Sequence, residues 1–120
     1  MTKFHIASAM AAVALLTAAQ AQAHAKLVSS TPAEGAIVAA PKVLVLKFSE
    51  KLQPKFSGVV LTMPSMNDTA MATKVSVAKD GVTMTATPTQ PLAPGTYTVS
   101  WHAVTADTHK MEGKLNFTVR

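Results

Sequence analysis

The histidine at position 24 becomes chemically distinctive if the chain is cut just before it. A first-residue histidine offers its free α-amine and an imidazole nitrogen, and the two can chelate one metal ion in a single ring. The amine has a free pKa of about 8, so a metal must displace its proton, which Cu(II) does readily among divalent first-row ions. Without the cut, the same nitrogen would be an amide and a far poorer ligand. Taken alone, His24 also fits a frayed terminus without function.

A second candidate site is the run Asp107-Thr108-His109. Residues two apart on an extended segment point the same way, so this carboxylate and this imidazole can reach one ion together. The alternative is an ordinary loop in which Asp107 caps a turn and His109 lies in water.

The third candidate is a methionine-rich segment, with Met63, Met66 and Met71 interleaved with turn-forming residues. Thioethers are soft ligands that suit Cu(I), and loops seldom use methionine in this way. The alternative is that Met63 and Met71 are the inward ends of two strands, so that only Met66 is exposed.

Residues 1–23 have the features of a secretory signal peptide. Lys3 gives a positive start, an apolar run follows from residue 7 to residue 19, and Ala21-Gln22-Ala23 resembles a cleavage site. The apolar run is shorter than the roughly 20 residues of a membrane span. We therefore expect cleavage after Ala23, export, and a mature domain of residues 24–120. An uncleaved N-terminal anchor is the alternative.

Composition limits the chemistry further. The chain has no cysteine, so any metal must be held by histidine, methionine, carboxylate, backbone or the α-amine, and the domain must rely on its apolar core. The formal net charge is +5, but the lysines are spread along the chain and match no nucleic-acid-binding motif. Nucleic-acid binding is therefore not predicted.

Short segments rich in β-branched residues alternate with turn formers through the rest of the chain. The step Asp80-Gly81 lies between two of them and is a strong hairpin signal. No segment after residue 23 keeps a helical period. About seven short strands at this spacing predict one all-β domain, an immunoglobulin-like Greek-key β-sandwich. The predicted strands are residues 27–30, 43–49, 58–63, 74–78, 82–87, 95–104 and 114–119.

The longest predicted strand has two distinct faces. Alternation places Tyr97, Val99, Trp101 and Ala103 on one face, which we expect to be buried, with Trp101 as its largest side chain. His102 points the other way.

In combination these residues resemble the CopC family of periplasmic copper-resistance proteins. The resemblance covers residues 24–120 and rests on several motifs in order. These are His24 after the cleavage site, residues 26–35 (KLVSSTPAEG), 46–50 (LKFSE), the methionine-rich segment, 94–97 (PGTY) and 101–109 (WHAVTADTH).

The resemblance implies a β-barrel-like Greek-key sandwich that binds Cu(II) through the amine and imidazole of His24 together with Asp107 and His109. Such an arrangement is a histidine brace, and tetragonal nitrogen and oxygen ligation suits Cu(II). Glu50 stands where some members have a carboxylate near the same metal, although a surface carboxylate ending a strand fits it equally well.

The chain departs from the family pattern at two positions. Members with a second, Cu(I) site carry a longer methionine set with a histidine inside the loop, whereas Asp68 stands at about that position here. Met63, Met66 and Met71 remain as three thioethers for a trigonal Cu(I) site. His102 occupies a position where close relatives are expected to have arginine, and it is not predicted as a ligand.

The resemblance implies a periplasmic copper carrier or buffer that hands copper to an inner-membrane CopD-type transporter or to other copper-resistance proteins. Two alternatives come from other classes. One is a copper monooxygenase built on a histidine brace, against which stand the short chain, its few aromatic residues and the carboxylate of Asp107. The other is a metal-free immunoglobulin-like adhesion or assembly module.

Overall fold

The computed structural model describes residues 26–120, so the expected signal peptide and His24 lie outside the described residues. Residues 26–120 form nine strands in two sheets. Within residues 26–120, no helix is long and apolar enough to cross a membrane. The strands are β1 (Leu27–Thr31), β2 (Ile37–Val38), β3 (Leu44–Phe48), β4 (Gly58–Met63), β5 (Thr69–Met71), β6 (Thr73–Val77), β7 (Thr83–Pro88), β8 (Gly95–Val104) and β9 (Lys110–Val119).

One sheet has the strand order β1-β3-β7-β6, and the other has the order β2-β9-β8-β4-β5. Only the short contact of β2 with the end of β9 is parallel, and the remaining pairs are antiparallel. The predicted all-β sandwich is therefore confirmed. Strands β2 and β5 were missed because two or three residues are too few for an alternation signal. Strand β9 begins at Lys110, four residues before its predicted start.

The inward faces of the two sheets meet in an apolar core. Tyr97 is its largest fully buried side chain; its ring stacks on Phe117, with ring centroids 5.4 Å apart. The Tyr97 hydroxyl donates a 2.7 Å hydrogen bond to the Ala93 carbonyl, which satisfies a polar group that would otherwise be costly to bury. Burial raises the pKa of Tyr97, so this hydroxyl keeps its proton at neutral pH.

Trp101 points inward as predicted but is only half-buried. Its ring meets Phe48 edge-on, with centroids 5.2 Å apart, and lies over Gly113 of the neighbouring strand. A Cβ atom at Gly113 would stand 2.5 Å from Cζ2 of Trp101, closer than two carbon atoms can approach. The absence of a side chain at Gly113 therefore leaves room for the indole of Trp101.

We expect the change Gly113→Ala to destabilise the fold by about 1–3 kcal/mol, because Trp101 must leave its position to admit the methyl group. Urea unfolding measures the effect, and Trp101 fluorescence reports the displaced ring. The exposed neighbour change Glu112→Ala is the control and should alter stability by less than about 0.5 kcal/mol. Equal stability of the Gly113→Ala and wild-type proteins would contradict the packing described here.

Candidate metal centre

The loop that joins β8 to β9 brings Asp107 and His109 together. Nδ1 of His109 lies 3.3 Å from Oδ2 of Asp107, and the two side chains are 63% and 60% exposed. They do not meet through an extended segment, so that part of the prediction was wrong. Thr108 adopts a left-handed φ of 70°, and its N–H donates a 2.9 Å hydrogen bond to the Thr105 carbonyl. The chain therefore turns at this point, and the turn brings the carboxylate and the imidazole to one side.

Thr105 holds this loop in shape and was not singled out in the sequence. It is fully buried, its hydroxyl donates a short hydrogen bond to Oδ1 of Asp107, and it accepts a 3.0 Å bond from the His109 N–H. The Thr105 N–H donates to the His109 carbonyl at 2.9 Å. The Thr105 side chain thus bonds the carboxylate of Asp107 and the backbone N–H of His109. The only sequence signal for this role is a hydroxyl residue two positions before an aspartate.

The electrostatics of the pair favour a charged carboxylate. The hydrogen bond from Thr105 is the largest influence and lowers the pKa of Asp107, and the nearby His109 lowers it further, against an opposing effect of desolvation. Asp107 is therefore ionised at neutral pH, with Oδ2 turned toward the imidazole. An ionised carboxylate and an imidazole are ligands that suit Cu(II), Zn(II) and similar ions.

Residues 49–53, called here the crossing segment, connect this loop to the start of the described chain. The Ser49 N–H donates to the Lys26 carbonyl and the Lys26 N–H donates to Oγ of Ser49, both at 2.9 Å. Two residues further on, the Lys51 carbonyl accepts a 2.9 Å bond from the Ala106 N–H. The residue two positions after His24 and the residue just before Asp107 are therefore bonded to the same short segment.

Further contacts anchor the crossing segment to the loop. Leu52 is buried and forms an isolated antiparallel bridge with Thr105, and the amide of Gln53 donates a 2.9 Å bond to the Thr105 carbonyl. Glu50 lies within the segment and is half-buried. Residues 26–120 contain no group of three histidine, aspartate or glutamate side chains that could hold a metal, so Glu50 does not complete a three-ligand site with Asp107 and His109.

The three candidate methionines are not gathered at the surface. Met63 is only 8% exposed and belongs to the core, where its methyl group packs against Gly95. Met71 is half-buried, and the pairing of Met63 with Thr69 makes Met71 a diagonal neighbour of Met63 on the inward face. Met66 is 61% exposed at the end of a 3-10 turn. This placement agrees with the alternative in which only Met66 is exposed.

The two candidate regions lie at opposite ends of β8. The Asp107–His109 loop follows Val104, whereas Met63 contacts Gly95 at the other end of this ten-residue strand. A strand of that length spans about 30 Å, so the two regions are separate sites.

His102 lies on the outward face of β8, as predicted. Its imidazole packs over Gly58, opposite Glu112 of β9. The His102 side chain borders a surface cavity of about 540 Å³ and has no ion-pair partner among the described residues.

Comparison with known proteins agrees with the two-sheet sandwich architecture. The CopC domain model matches residues 27–120. Copper resistance protein C of Pseudomonas syringae pv. tomato is 49% identical over 114 residues, covering 91% of this chain and 90% of the relative. Copper resistance protein C of Escherichia coli is 43% identical over 106 residues, covering 83% of this chain and 84% of the relative.

Solved structures of CopC-family proteins are also similar to this chain. PcoC, described as a methionine-rich copper resistance protein from Escherichia coli, superposes with a TM-score of 0.74 at 44% identity, covering 82% of this chain and 100% of PcoC. CopC from Methylosinus trichosporium OB3b gives a TM-score of 0.73 at 28% identity, covering 80% of this chain and 93% of that protein. The chain belongs to the CopC family, as its sequence predicted. This is a family of copper-resistance proteins and not of enzymes, which removes the monooxygenase alternative.

We expect the change Thr105→Val to destabilise the protein by about 1–3 kcal/mol, because it removes one donor and one acceptor from a buried position and keeps the volume. Chemical denaturation measures the loss, and the His109 amide should exchange with solvent faster. The control Thr105→Ser keeps the hydroxyl and should retain most of the stability. A valine variant at least as stable as the serine variant would contradict the stabilising role of the Thr105 hydroxyl.

Proposed function

We propose that this protein is an exported copper carrier or buffer that binds Cu(II) through the amine and imidazole of His24 together with Asp107 and His109. The observation that carries the proposal is that both Lys26, near His24 in the sequence, and Ala106, next to Asp107, are attached to the crossing segment. Lys26 and Ala106 are both bonded to it, at Ser49 and Lys51. His24 precedes Lys26 by only two positions in the sequence, and two residues of chain span at most about 7 Å. The copper assignment is supported by the names of the relatives, which are copper resistance proteins.

The remaining ligands of such a site have to come from beyond the Asp107–His109 pair. Two protein ligands alone hold a divalent copper ion weakly, whereas His24 would add two nitrogens in one chelate ring. Glu50, between Ser49 and Lys51 on the crossing segment, is our candidate for an additional oxygen ligand. Its side chain would have to move toward Asp107 and His109 when the metal binds, because the three do not form a ligand group in the described structure.

The solvent exposure of the Asp107 and His109 side chains supports a role as a copper carrier. More than half of the Asp107 and His109 side chains is open to solvent, so an ion held there can be taken up and passed on without opening the core. We propose that the chain is cleaved after Ala23, works in the periplasm and delivers copper to a CopD-type inner-membrane transporter or another copper-resistance protein. The leader-like residues 1–23 support the location, and the family supports the partner class.

A Cu(I) site on the methionine-rich segment is a separate part of the proposal. Met66 is exposed and Met71 is half-buried, so these two thioethers are the accessible ones. Met63 would have to leave its contact with Gly95 to join them. Asp68, next to the left-handed Asn67, supplies a carboxylate where the family pattern has a histidine, and a carboxylate is a poor ligand for Cu(I).

The Cu(II) site is tested with protein processed in a bacterial periplasm, whose first residue is checked by mass spectrometry. We expect one Cu(II) per chain with a tetragonal, nitrogen-rich electron paramagnetic resonance spectrum. One glycine added before His24 should weaken binding at least about tenfold, because the chelating amine becomes an amide.

Two carboxylate variants provide the matched comparison for this experiment. Asp107→Asn should weaken Cu(II) binding, whereas Asp68→Asn, at the far end of the sandwich, should leave it unchanged. Equal affinity of the processed and glycine-extended proteins would remove the His24 amine from the site, and a failure of both proteins to bind Cu(II) would favour the metal-free module.

The Cu(I) site is tested by titration with Cu(I) under anaerobic conditions in the presence of a competing chelator. We expect Met66→Leu to lower Cu(I) affinity at least about tenfold, because it replaces the most accessible thioether with an alkyl group of similar size. The control is Met84→Leu, since Met84 is fully buried in the opposite sheet. An unchanged affinity in the Met66→Leu protein would show that the segment is not a Cu(I) site.

A further inference from the structure

The first half of β9 has an open edge. In the β8–β9 ladder the odd-numbered residues of β9 bond to β8, and the even-numbered ones turn their N–H and C=O groups outward. The last even-numbered residues have partners: Asn116 bonds to Glu34 and Gly35, and Thr118 bonds to Ala36. Strand β2 pairs only with residues 118 and 119.

The outward backbone groups of Lys110, Glu112 and Lys114 have no hydrogen-bond partner within residues 26–120. An unpaired edge of this kind is a template for another strand. Edge lysines often serve to discourage such pairing, so the arrangement of the charges decides which strands the edge accepts.

The side chains along this edge alternate in character. On the outward face Lys110, Glu112 and Lys114 are exposed and alternate in charge. On the inward face lie the half-buried Met111, Gly113 and the buried Leu115. Trp101, half-buried over Gly113, adds apolar surface beside the open edge.

We propose that this edge pairs with the same edge of a second copy of the chain, antiparallel and about a two-fold axis at Gly113. In this register Glu112 of each copy stands opposite Lys114 of the other. Both residues have outward-turned backbone groups, so each such pair is a hydrogen-bonded pair. The charge pairs Glu112–Lys114 form twice, and opposite charges directly across strands are stabilising.

The inward face fits the same register. Met111 of each copy meets Leu115 of the other, and Gly113 meets Gly113. Residues directly opposite in a non-hydrogen-bonded pair have Cα atoms about 4.5 Å apart, and two glycines fill that narrow space without a clash. The pairing would cover the exposed parts of Trp101 and Met111 with apolar side chains, which supplies a hydrophobic contribution to association.

Neighbouring registers are less suitable. An axis at Glu112 puts Glu112 opposite Glu112 and Lys110 opposite Lys114, so all the facing charges repel. An axis at Met111 pairs Lys110 with Glu112, but it draws His109 into the ladder and sets Thr108, with its φ of 70°, opposite Lys114. The axis at Gly113 avoids both problems, and the pairing ends at Asn116, whose outward groups are already bonded.

The dimer leaves the candidate metal loops free. His109 lies four residues from the axis, so the two loops stand at opposite ends of the joined strands, about 27 Å apart. A short joined edge buries less than the roughly 1,200 Å² of a standard stable interface, so the dimer is weak and forms at high protein concentration.

The test is sedimentation velocity of the purified, metal-free protein over a concentration series, from about 10 µM to 1 mM. We expect a concentration-dependent dimer. The single changes Glu112→Lys and Lys114→Glu should each raise the dissociation constant at least about tenfold, because each turns two attractive charge pairs into two repulsive ones. The double variant with both changes restores opposite charges and should return to within about threefold of the wild-type value.

The matched control is Lys74→Glu, which alters an exposed lysine on the edge strand β6 of the other sheet and should leave dimerisation unchanged. Circular dichroism confirms that each variant is folded. A wild-type protein that stays monomeric at 1 mM overturns the proposal, and so does a double variant that fails to recover. Disruption by Lys110→Glu together with no effect of Lys114→Glu would move the axis to Met111 and would also overturn it.

Discussion

Four backbone hydrogen bonds hold the crossing segment between the two sheets. Ser49 is bonded to Lys26, Leu52 to Gly81, Gln53 to Val104, and Ala106 to Lys51. The segment follows β3 of one sheet and bonds to the end of β8 in the other, so the edge of one sheet and the β8–β9 loop are fixed relative to each other. Buried Leu52 anchors it from the core side. The geometry at this end of the molecule depends on these bonds, because they attach Lys26 and Ala106 to the same short segment.

Rigidity at this end is combined with exposure. Thr105 is buried and satisfies groups of both Asp107 and His109, while the two candidate ligands themselves face solvent. The proposed role as a copper carrier would need both properties. Ligands that are held in place bind an ion without a large ordering cost, and ligands that are exposed can release it to a partner. The opposite end of the sandwich is built differently, since Met63 is part of the core and only Met66 extends well into solvent.

Strand β9 has two functions in the fold. Its last residues close the sheet against β2 and the turn at Glu34 and Gly35, whereas its first residues leave an edge uncovered beside Trp101. The uncovered half follows directly from the Asp107–His109 loop. Gly113 lies within this uncovered half. Its lack of a side chain leaves the space that the indole of Trp101 occupies.

Local patterns in the sequence were sufficient to predict the class of fold, the family and a set of candidate ligands. Alternation of apolar and polar residues is a local signal, so it predicted the long strand β8 with its inward Tyr97, Val99 and Ala103. The motifs around His24 and Asp107 indicated the family. Strands β2 and β5 were too short to give a periodic signal and exist because longer neighbours pair with them.

Other features depend on contacts between segments that are distant in the sequence, and no local pattern predicts these contacts. Lys26 and Ala106 are 80 positions apart in the sequence, and both are bonded to the crossing segment. The tertiary structure showed that Asp107 and His109 meet through a turn built on buried Thr105 and not through an extended strand. It also placed Met63 in the core. The physical reason is the same in each case: hydrogen bonds and burial are satisfied between segments distant in sequence, and a pattern of neighbouring residues does not record which distant segment will supply them.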